Sequence, residues 1–273
     1  MVTCRQAIQA ASEQLGATSD TPRLDAELLM AHALGIERDR LILSGLDSEA
    51  PDAFDALLRR RMSGEPVAYI LGRRDFWTIE LAVGPGVLIP RPDSETLIEA
   101  AVVRFGRAGP GRILDLGTGP GTLLLAALDQ WPDATGLGID RSQIALGYAQ
   151  ANADRLGLAN RARFRIGDWG AGIDERFDLI LCNPPYVAER DALGPGVREN
   201  EPHEALFAGP DGLDDYRRIA GQLGRLLAPG GIACIELGAG QAGAVGALFS
   251  AAGFTISSRS DLNGYQRCLI VEA

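Results

Sequence analysis

Short apolar segments alternate with helix-like segments from residue 112 to the end of the chain, and this alternation constrains the fold more than any other feature. It is typical of an open, mostly parallel sheet with helices on both faces. The last two segments, TISSRSD and QRCLIVEA, follow each other too closely for a crossover helix, so we predict that they pair as an antiparallel hairpin. The sequence therefore predicts an α/β domain whose other strands read RILDLG, GLGID, ARFRIGD, FDLILCN and GIACIELG.

The part of the chain before this domain divides into two further segments. Residues 1–74 contain helical patterns, with no glycine-rich loop and no acid–base pair, so we interpret them as a helical packing or recognition module. Strand-forming residues then alternate along DFWTIELAV, and Gly84-Pro85-Gly86 is a turn signal. We therefore predict a β-hairpin linker over residues 75–90 and a catalytic α/β domain over residues 91–273.

Composition excludes several classes of protein. The net charge of −10 and the isoelectric point near 4.8 argue against a surface built to bind nucleic-acid phosphates. No apolar run has the roughly 20 residues that a membrane helix needs, and the first residues lack the pattern of a secretory signal. The 4 cysteines form no CxxC pair and only 2 histidines are present, which disfavours a zinc site. We expect a reduced, cytoplasmic, metal-free protein.

A glycine-rich loop follows the first strand of the α/β domain, in ILDLGTGPGTLLL. The strand ends at Asp115, and Gly117, Gly119 and Gly121 precede a helix, so the backbone there can turn sharply and approach a ligand closely. The dinucleotide fingerprint requires G-x-G-x-x-G, and Thr122 occupies its last glycine position. This spacing disfavours a nicotinamide enzyme but leaves other nucleoside-containing cofactors open.

Two further strands end in residues suited to a nucleoside. Asp140 ends the second strand, 19 residues after Gly121, where a carboxylate can accept both ribose hydroxyls. A role as the cap of a helix that starts near Ser142 remains an alternative. Asp168 and Trp169 end the third strand, and an acid next to an aromatic ring there can bind and stack an adenine.

The fourth strand ends in the motif Asn183-Pro184-Pro185-Tyr186. Proline cannot donate to a sheet ladder, so the strand must stop there. The residue before each proline is held in extended geometry, which leaves rigid carbonyl groups at the strand end. We predict that the four strand ends converge on one pocket.

These motifs together resemble those of class I S-adenosylmethionine-dependent methyltransferases. DLGTGPG, the acid that ends the second strand, GDW and NPPY carry the resemblance, and NPPY is the signature of enzymes that methylate adenine N6, cytosine N4 or a glutamine amide. The chain is further similar over nearly its whole length to the release-factor glutamine methyltransferases (the PrmC/HemK type), through TPRLDAELLM, AYILGRRDFW, VLIPRPDSE, VRENEP and FAGPDGLDDYRRI. A sister group that methylates a ribosomal-protein glutamine typically reads RSP where this chain has RPDSE.

The resemblance implies a Rossmann-like fold, S-adenosyl-L-methionine as cofactor with S-adenosyl-L-homocysteine as product, and class-1 peptide chain release factors as partners. The methylated atom would be N5 of the glutamine in their Gly-Gly-Gln loop, and the N-terminal helices would help dock the factor. We expect a monomer without membrane or direct nucleic-acid contacts. The cofactor residues expected are Asp115, Gly117, Thr118, Gly119, Gly121, Asp140, Asp168, Trp169 and Asn183.

The expected substrate residues are the four residues of the NPPY motif, of which Asn183, Pro184 and Tyr186 are expected to be catalytic. An amide nitrogen is a poor nucleophile because its lone pair is delocalised into the carbonyl. The side-chain oxygen of Asn183 and the carbonyl of Pro184 can each accept one amide hydrogen and so hold the nitrogen. Tyr186 is expected to pack against the planar amide and exclude water.

The resemblance also raises points that sequence leaves open. It places Arg91, Pro92 and Glu95 near the site, without saying whether they contact cofactor or substrate. Pro120 stands where the family more often has threonine or serine, and it removes one backbone N–H from the loop. The alternative functions are a ribosomal-protein glutamine methyltransferase, an adenine-N6 nucleic-acid methyltransferase and a Rossmann-type binding protein without catalysis.

Overall fold

The computed structural model describes residues 2–273, which form two compact units. The helical unit comprises residues 2–73 together with Ala192–Asn200, and the α/β unit comprises Arg74–Asp191 together with Glu201–Ala273. Helices are α1 (Cys4–Leu15), α2 (Pro22–Leu34), α3 (Arg38–Arg40), α4 (Ala53–Met62), α5 (Val67–Leu71), α6 (Glu95–Phe105), α7 (Thr122–Gln130), α8 (Gln143–Arg155), α9 (Val197–Asn200), α10 (Asp214–Leu226) and α11 (Ala242–Ala251). Strands are β1 (Arg73–Phe76), β2 (Ile79–Ala82), β3 (Arg112–Leu116), β4 (Thr135–Asp140), β5 (Ala162–Ile166), β6 (Phe177–Cys182), β7 (Leu227–Glu236), β8 (Thr255–Ser260) and β9 (Gln266–Glu272).

The helices of the helical unit enclose an apolar core of their own. α1 begins at a capping box, in which the side chains of Thr3 and Gln6 each accept a hydrogen bond from the other's backbone N–H. α2 has Pro22 in its first turn and stops at Gly35, which adopts a left-handed φ of 65°. The buried core consists of Cys4, Ile8, Ala11, Leu15, Ala26, Leu29, Met30, Ala31, Leu41, Phe54, Leu58 and Ile70. None of the helices within residues 2–273 is long and apolar enough to cross a membrane.

The α/β unit contains one seven-stranded sheet in the order β5-β4-β3-β6-β7-β9-β8. The five strands from β3 to β7 are mutually parallel, whereas β9 is antiparallel to both of its neighbours. The predicted fold, a mostly parallel sheet with a closing antiparallel hairpin, is therefore confirmed. After β3 the chain places β4 and β5 toward one edge of the sheet, and after β6 it places β7 on the other side. The strand order therefore reverses between β3 and β6, and ligands of such sheets bind at this point, beyond the carboxyl ends of the strands.

Burial on both faces explains why the central strands are nearly continuous apolar runs. Residues 179–182 of β6 and residues 232–235 of β7 are fully buried. Two carboxylates interrupt this pattern, Asp115 in β3 and Glu236 at the end of β7, and each is only 1% exposed. Burial of a charge without a partner is costly, so both must be held by specific contacts at this end of the sheet.

The hairpin before the α/β sheet differs from the sequence prediction. Its strands, β1 and β2, are joined at Trp77 and Thr78, whereas the predicted turn at Gly84-Pro85-Gly86 is present but lies after β2, where the Val87 N–H donates to the Gly84 carbonyl at 3.4 Å. Trp77 adopts a φ of 54°, which a tryptophan rarely does, and its backbone N–H donates to Glu95 Oε1 at 3.0 Å. A tertiary hydrogen bond therefore stabilises a turn in the middle of a strand-forming run.

Candidate active site

A cleft opens at the carboxyl ends of β3 to β6, where the predicted strand-end residues converge. Arg91 and Ser94 also line its wall, whereas Pro92 and Glu95 do not. Of the residues predicted from sequence, the cleft is lined by Asp115, Gly117, Thr118, Gly119, Asp140, Asp168, Trp169, Asn183 and Pro185. Gly121, Pro184 and Tyr186 do not line the cleft.

The glycine loop after β3 requires glycine at three positions. Gly117, Gly119 and Gly121 have φ values of 73°, 56° and 88°, which side-chain-bearing residues rarely adopt. A Cβ on Gly117 would lie 3.2 Å from the ring of Trp169, and one on Gly121 would lie 2.7 Å from Leu125. At Gly119 a Cβ would meet nothing within 4 Å, so this turn of backbone borders open space in the cleft.

Asp115 lies beneath this loop, and the described residues donate hydrogen bonds to only one of its two oxygens. Its Oδ2 accepts hydrogen bonds from the Thr118 hydroxyl at 2.6 Å and from the Leu124 N–H at 3.2 Å. Its Oδ1 is buried and has no hydrogen-bond partner within residues 2–273. Burial raises the pKa of Asp115 to about 7, although both hydrogen bonds act in the opposite direction. A cationic ligand group would satisfy Oδ1 and favour the carboxylate.

Asp140 stabilises the loop and the next helix at the same time. Its Oδ2 accepts from the Gly119 N–H and its Oδ1 accepts from the Ser142 N–H, each at 2.8 Å. The capping alternative considered from sequence is therefore realised in part, since Ser142 itself caps α8 by accepting from Ala145. A carboxylate has about four lone-pair positions, so each oxygen of Asp140 can still accept a ligand hydroxyl.

The side chains of Asp168 and Trp169 are held by residues that the sequence reasoning missed. The Trp169 indole N–H donates to Asp215 Oδ1 at 3.2 Å, and Trp169 has a φ of 51°. Arg218 pairs with both Asp168 and Asp215. Asp215 and Arg218 belong to FAGPDGLDDYRRI, which sequence analysis used only for the family resemblance. This segment fixes the aromatic face of the cleft.

Asn183 is connected to two buried polar side chains. Its Nδ2 donates to the Ser94 hydroxyl at 3.1 Å, and the Ser94 hydroxyl donates to Glu236 Oε2. The Tyr186 hydroxyl donates to Glu236 Oε1 at 3.2 Å. Both polar side chains of the NPPY motif thus connect to one carboxylate, Glu236, which sequence analysis did not select.

The backbone after the NPPY motif is paired with the start of FAGPDGLDDYRRI. The Val187 N–H donates to Leu206 O at 2.9 Å, and the Ala208 N–H donates back to Val187 O at 3.0 Å. The Gln241 side chain donates to the Tyr186 carbonyl at 2.9 Å. Gly212 lies against the same carbonyl, so this segment holds the motif in place.

Replacing Gly212 with alanine is expected to loosen this support. Gly212 has a φ of 71°, and its Cβ would overlap the Tyr186 carbonyl oxygen. The free energy of unfolding in urea should fall by about 1–3 kcal/mol, because the NPPY motif must shift to accommodate the new side chain. Gly221→Ala is the control, since Gly221 is exposed within α10 with open space around it, and it should gain about 0.5–1 kcal/mol. Equal stabilities of the two variants would contradict this reading.

Arg91 is held on the cleft wall by a buried acid of the VRENEP segment. Glu201 is 5% exposed, pairs with the Arg91 guanidinium and accepts from the Ile89 N–H at 3.0 Å. Arg91 also donates to the Ile89 carbonyl at 2.8 Å. The Glu95 carboxylate instead accepts a hydrogen bond from the Trp77 backbone N–H in the hairpin turn.

Comparison with known proteins identifies the family to which the chain belongs. A family described as the PrmC N-terminal domain matches residues 6–72, and a methyltransferase domain family matches residues 110–252. A release factor glutamine methyltransferase of Rhodospirillum rubrum is 46% identical, covering 92% of this chain and 79% of that protein. One from Caulobacter vibrioides is 41% identical, covering 98% and 96%. A methyltransferase structure from Pyrococcus furiosus is 16% identical with a TM-score of 0.53, covers 78% of this chain and 95% of that one, and shows a common fold.

Proposed function

The chain belongs to the release factor glutamine methyltransferases, and we propose that it methylates N5 of the glutamine in the Gly-Gly-Gln loop of class-1 peptide chain release factors. The family prediction made from the motifs is confirmed. The enzyme is an S-adenosylmethionine-dependent methyltransferase that acts on a release-factor glutamine. The observation that carries the proposal for the site is the placement of Asn183 in the wall of the cleft formed by the glycine loop, Asp140 and Trp169.

The residues of the cleft fit S-adenosylmethionine, which supplies an electrophilic methyl group when bound. The buried Oδ1 of Asp115, which has no hydrogen-bond partner within residues 2–273, is an acceptor suited to an ammonium group. Asp140 can accept ribose hydroxyls, and the Trp169 ring offers a face to the base. Asp168 is already paired with Arg218, so we assign it mainly to holding this side of the cleft.

We propose that Asn183 and Pro184 hold the substrate amide by its two hydrogens. The Asn183 nitrogen is engaged by Ser94, so its Oδ1 is the end available as an acceptor. The Pro184 carbonyl supplies the second acceptor, and Pro185 has no N–H with which to form a competing turn. With both hydrogens held, the nitrogen lone pair is directed away from the acceptors and loses part of its delocalisation.

Tyr186 is proposed to act through its position behind this pair. Its hydroxyl is occupied by Glu236, and its ring packs on the core cluster of the sheet. The nearby Glu236 charge, followed by burial, raises the pKa of the phenol, so it remains protonated at physiological pH. The expected packing of the ring against the amide remains a proposal.

We propose that the helical unit docks the intact release factor. It exposes Leu43, 85% accessible on the π-helical turn Leu41–Gly45. Leu43→Asp should raise KM for the intact factor about tenfold, because a buried leucine contributes about 1.5–3 kcal/mol. KM for a short Gly-Gly-Gln peptide should not change. The control is Val103→Asp on α6, where Val103 is 72% exposed. An unchanged KM for the factor would contradict docking through this turn.

The cellular setting is likewise proposed. The protein acts in the cytoplasm as a monomer without direct nucleic-acid binding, and the net charge of −10 supports the last point. Sedimentation velocity checks the monomer, and labelled-oligonucleotide binding checks the absence of nucleic-acid contacts.

Transfer of a labelled methyl group from S-adenosylmethionine tests the proposed function. The acceptors are recombinant release factor, the same factor with its Gly-Gly-Gln glutamine replaced, a large-subunit ribosomal protein, and DNA. Label is expected on the intact factor alone. Label on the replaced factor or on DNA would overturn the proposal.

A further inference from the structure

A buried carboxylate lies behind the NPPY motif and joins its two polar side chains. Glu236 ends β7 and is 1% exposed. Its two oxygens accept from the Tyr186 hydroxyl at 3.2 Å and from the Ser94 hydroxyl. Ser94 is 2% exposed and accepts from Asn183 Nδ2 at 3.1 Å. A single carboxylate therefore contacts Tyr186 directly and Asn183 through one hydroxyl.

The available donors and acceptors fix the direction of the hydrogen bonds that run from Asn183 through Ser94 to Glu236. An ionised carboxylate only accepts, and a serine hydroxyl has one proton to donate. Because Ser94 donates that proton to Glu236, it can only accept from Asn183. A flipped Asn183 amide would place Oδ1 against the lone pairs of Ser94, which is unfavourable. The ionised form of Glu236 thus determines which end of the Asn183 amide is free for a ligand.

We propose that Glu236 and Ser94 are positioning residues that hold the Asn183 side chain with its oxygen toward the substrate amide and its nitrogen away from it. The proposal rests on the acceptor role proposed for Asn183. Neither residue is assigned a contact with the reacting atoms. If Asn183 flipped, its NH₂ group would face the NH₂ group of the substrate, and one of the two acceptors would be lost.

Protonation of Glu236 would allow these hydrogen bonds to reverse direction. A neutral carboxyl can itself donate, which frees the Ser94 hydroxyl to donate to a flipped Asn183. Burial raises the pKa of Glu236 to about 7, against the lowering effects of Ser94, Tyr186 and Arg267. Because the ionised form is the productive one, turnover should fall as pH falls through about 7. The other titratable groups that interact electrostatically with this carboxylate are Asp93, Tyr216, Cys182 and Cys268.

Ser94→Ala removes the hydroxyl that connects Asn183 to Glu236 and so tests its positioning role. With release factor and S-adenosylmethionine both saturating, kcat should fall about tenfold to one-hundredfold, since Asn183 is no longer biased. KM for the factor and Kd for S-adenosylhomocysteine should stay close to wild type, while thermal stability should fall because Glu236 and Asn183 each lose a buried hydrogen-bond partner. Ser257→Ala, on the exposed side of β8, is the matched control and should leave every parameter unchanged. A wild-type kcat for Ser94→Ala would overturn the inference.

Glu236→Gln removes the ionisable carboxylate, so the pH dependence of its kcat tests whether the ionised form of Glu236 orients Asn183. The wild type should lose kcat below about pH 7, and this acidic limb should be absent in Glu236→Gln, whose kcat is low throughout. The Ser94→Ala/Glu236→Gln double variant should be no slower than the slower single variant, because both act on Asn183 by one route. A retained acidic limb or multiplied losses would overturn the inference. Glu272→Gln, at the exposed end of β9, is the control.

The two proposals fail in different ways. If the wild type does not label the release factor, the proposed function is wrong. If the wild type labels the factor and Ser94→Ala does so equally fast, only the positioning role is wrong.

Discussion

Asn183→Ala is expected to lower kcat for release-factor methylation by about 10²- to 10³-fold, the loss typical of removing one preorganised polar group from a reacting centre. The variant loses one of the two acceptors that are proposed to hold the substrate amide. It keeps the glycine loop, Asp115 and Asp140, so Kd for S-adenosylhomocysteine should change less than about threefold. Single-turnover methyl transfer together with calorimetric titration of the product measures the two effects separately.

Two further variants sharpen this prediction. Asn160→Ala replaces an exposed asparagine after α8 and should behave as the wild type. Asn183→Asp keeps an oxygen acceptor but loses the Nδ2 donor to Ser94, so it should recover little of the lost kcat. Turnover of Asn183→Ala within about threefold of wild type would refute the acceptor role.

Asp115→Asn is expected to weaken cofactor binding about tenfold to one-hundredfold, because a charge-assisted hydrogen bond contributes about 1.5–3 kcal/mol. The Oδ1 of Asp115 is the buried acceptor that has no partner within residues 2–273, and an ammonium group would supply one. The substituted side chain would be neutral, and its amide could place a donor where an acceptor is needed. Titration of S-adenosylhomocysteine at pH 8 measures the loss.

The pH dependence of S-adenosylhomocysteine binding provides a second test of the role proposed for Asp115. Burial raises the pKa of Asp115 to about 7, so the carboxylate that attracts a cation forms as pH rises through that value. Affinity of the wild type should therefore rise between about pH 5.5 and 8 and then level off. Asp115→Asn should show a flatter profile, and Asp133→Asn, at an exposed position, should follow the wild type. Identical profiles for wild type and Asp115→Asn would exclude Asp115 as the cation acceptor.

The sheet and the position of the cleft at its edge could be predicted from the sequence because their signals are local. Apolar runs identify the strands, and parallel strands bring their carboxyl ends to one edge. This rule placed Asp115, Asp140, Trp169 and Asn183 in one cleft, as the structure has them. Glu236 also ends a strand, in CIELG, so the same rule applied to β7 would have found it.

Other features depend on contacts between distant residues, which a single sequence does not reveal. Ser94 and Glu236 meet although 142 positions separate them. The hairpin turn at Trp77 relies on the Glu95 side chain rather than on a glycine or a proline. Ala192–Asn200 forms part of the helical unit, although it follows the NPPY motif in the chain and carries no sequence signal for this packing.

Tandem mass spectrometry of release factor, after incubation with the enzyme and S-adenosylmethionine, locates the transferred methyl group on a single atom. We expect one added methyl group, located on the side-chain amide of the Gly-Gly-Gln glutamine, and none of it after incubation with Asn183→Ala for the same short time. A methyl group on any other residue, or on this glutamine at the same rate with Asn183→Ala, would refute the proposed function or the proposed role of Asn183.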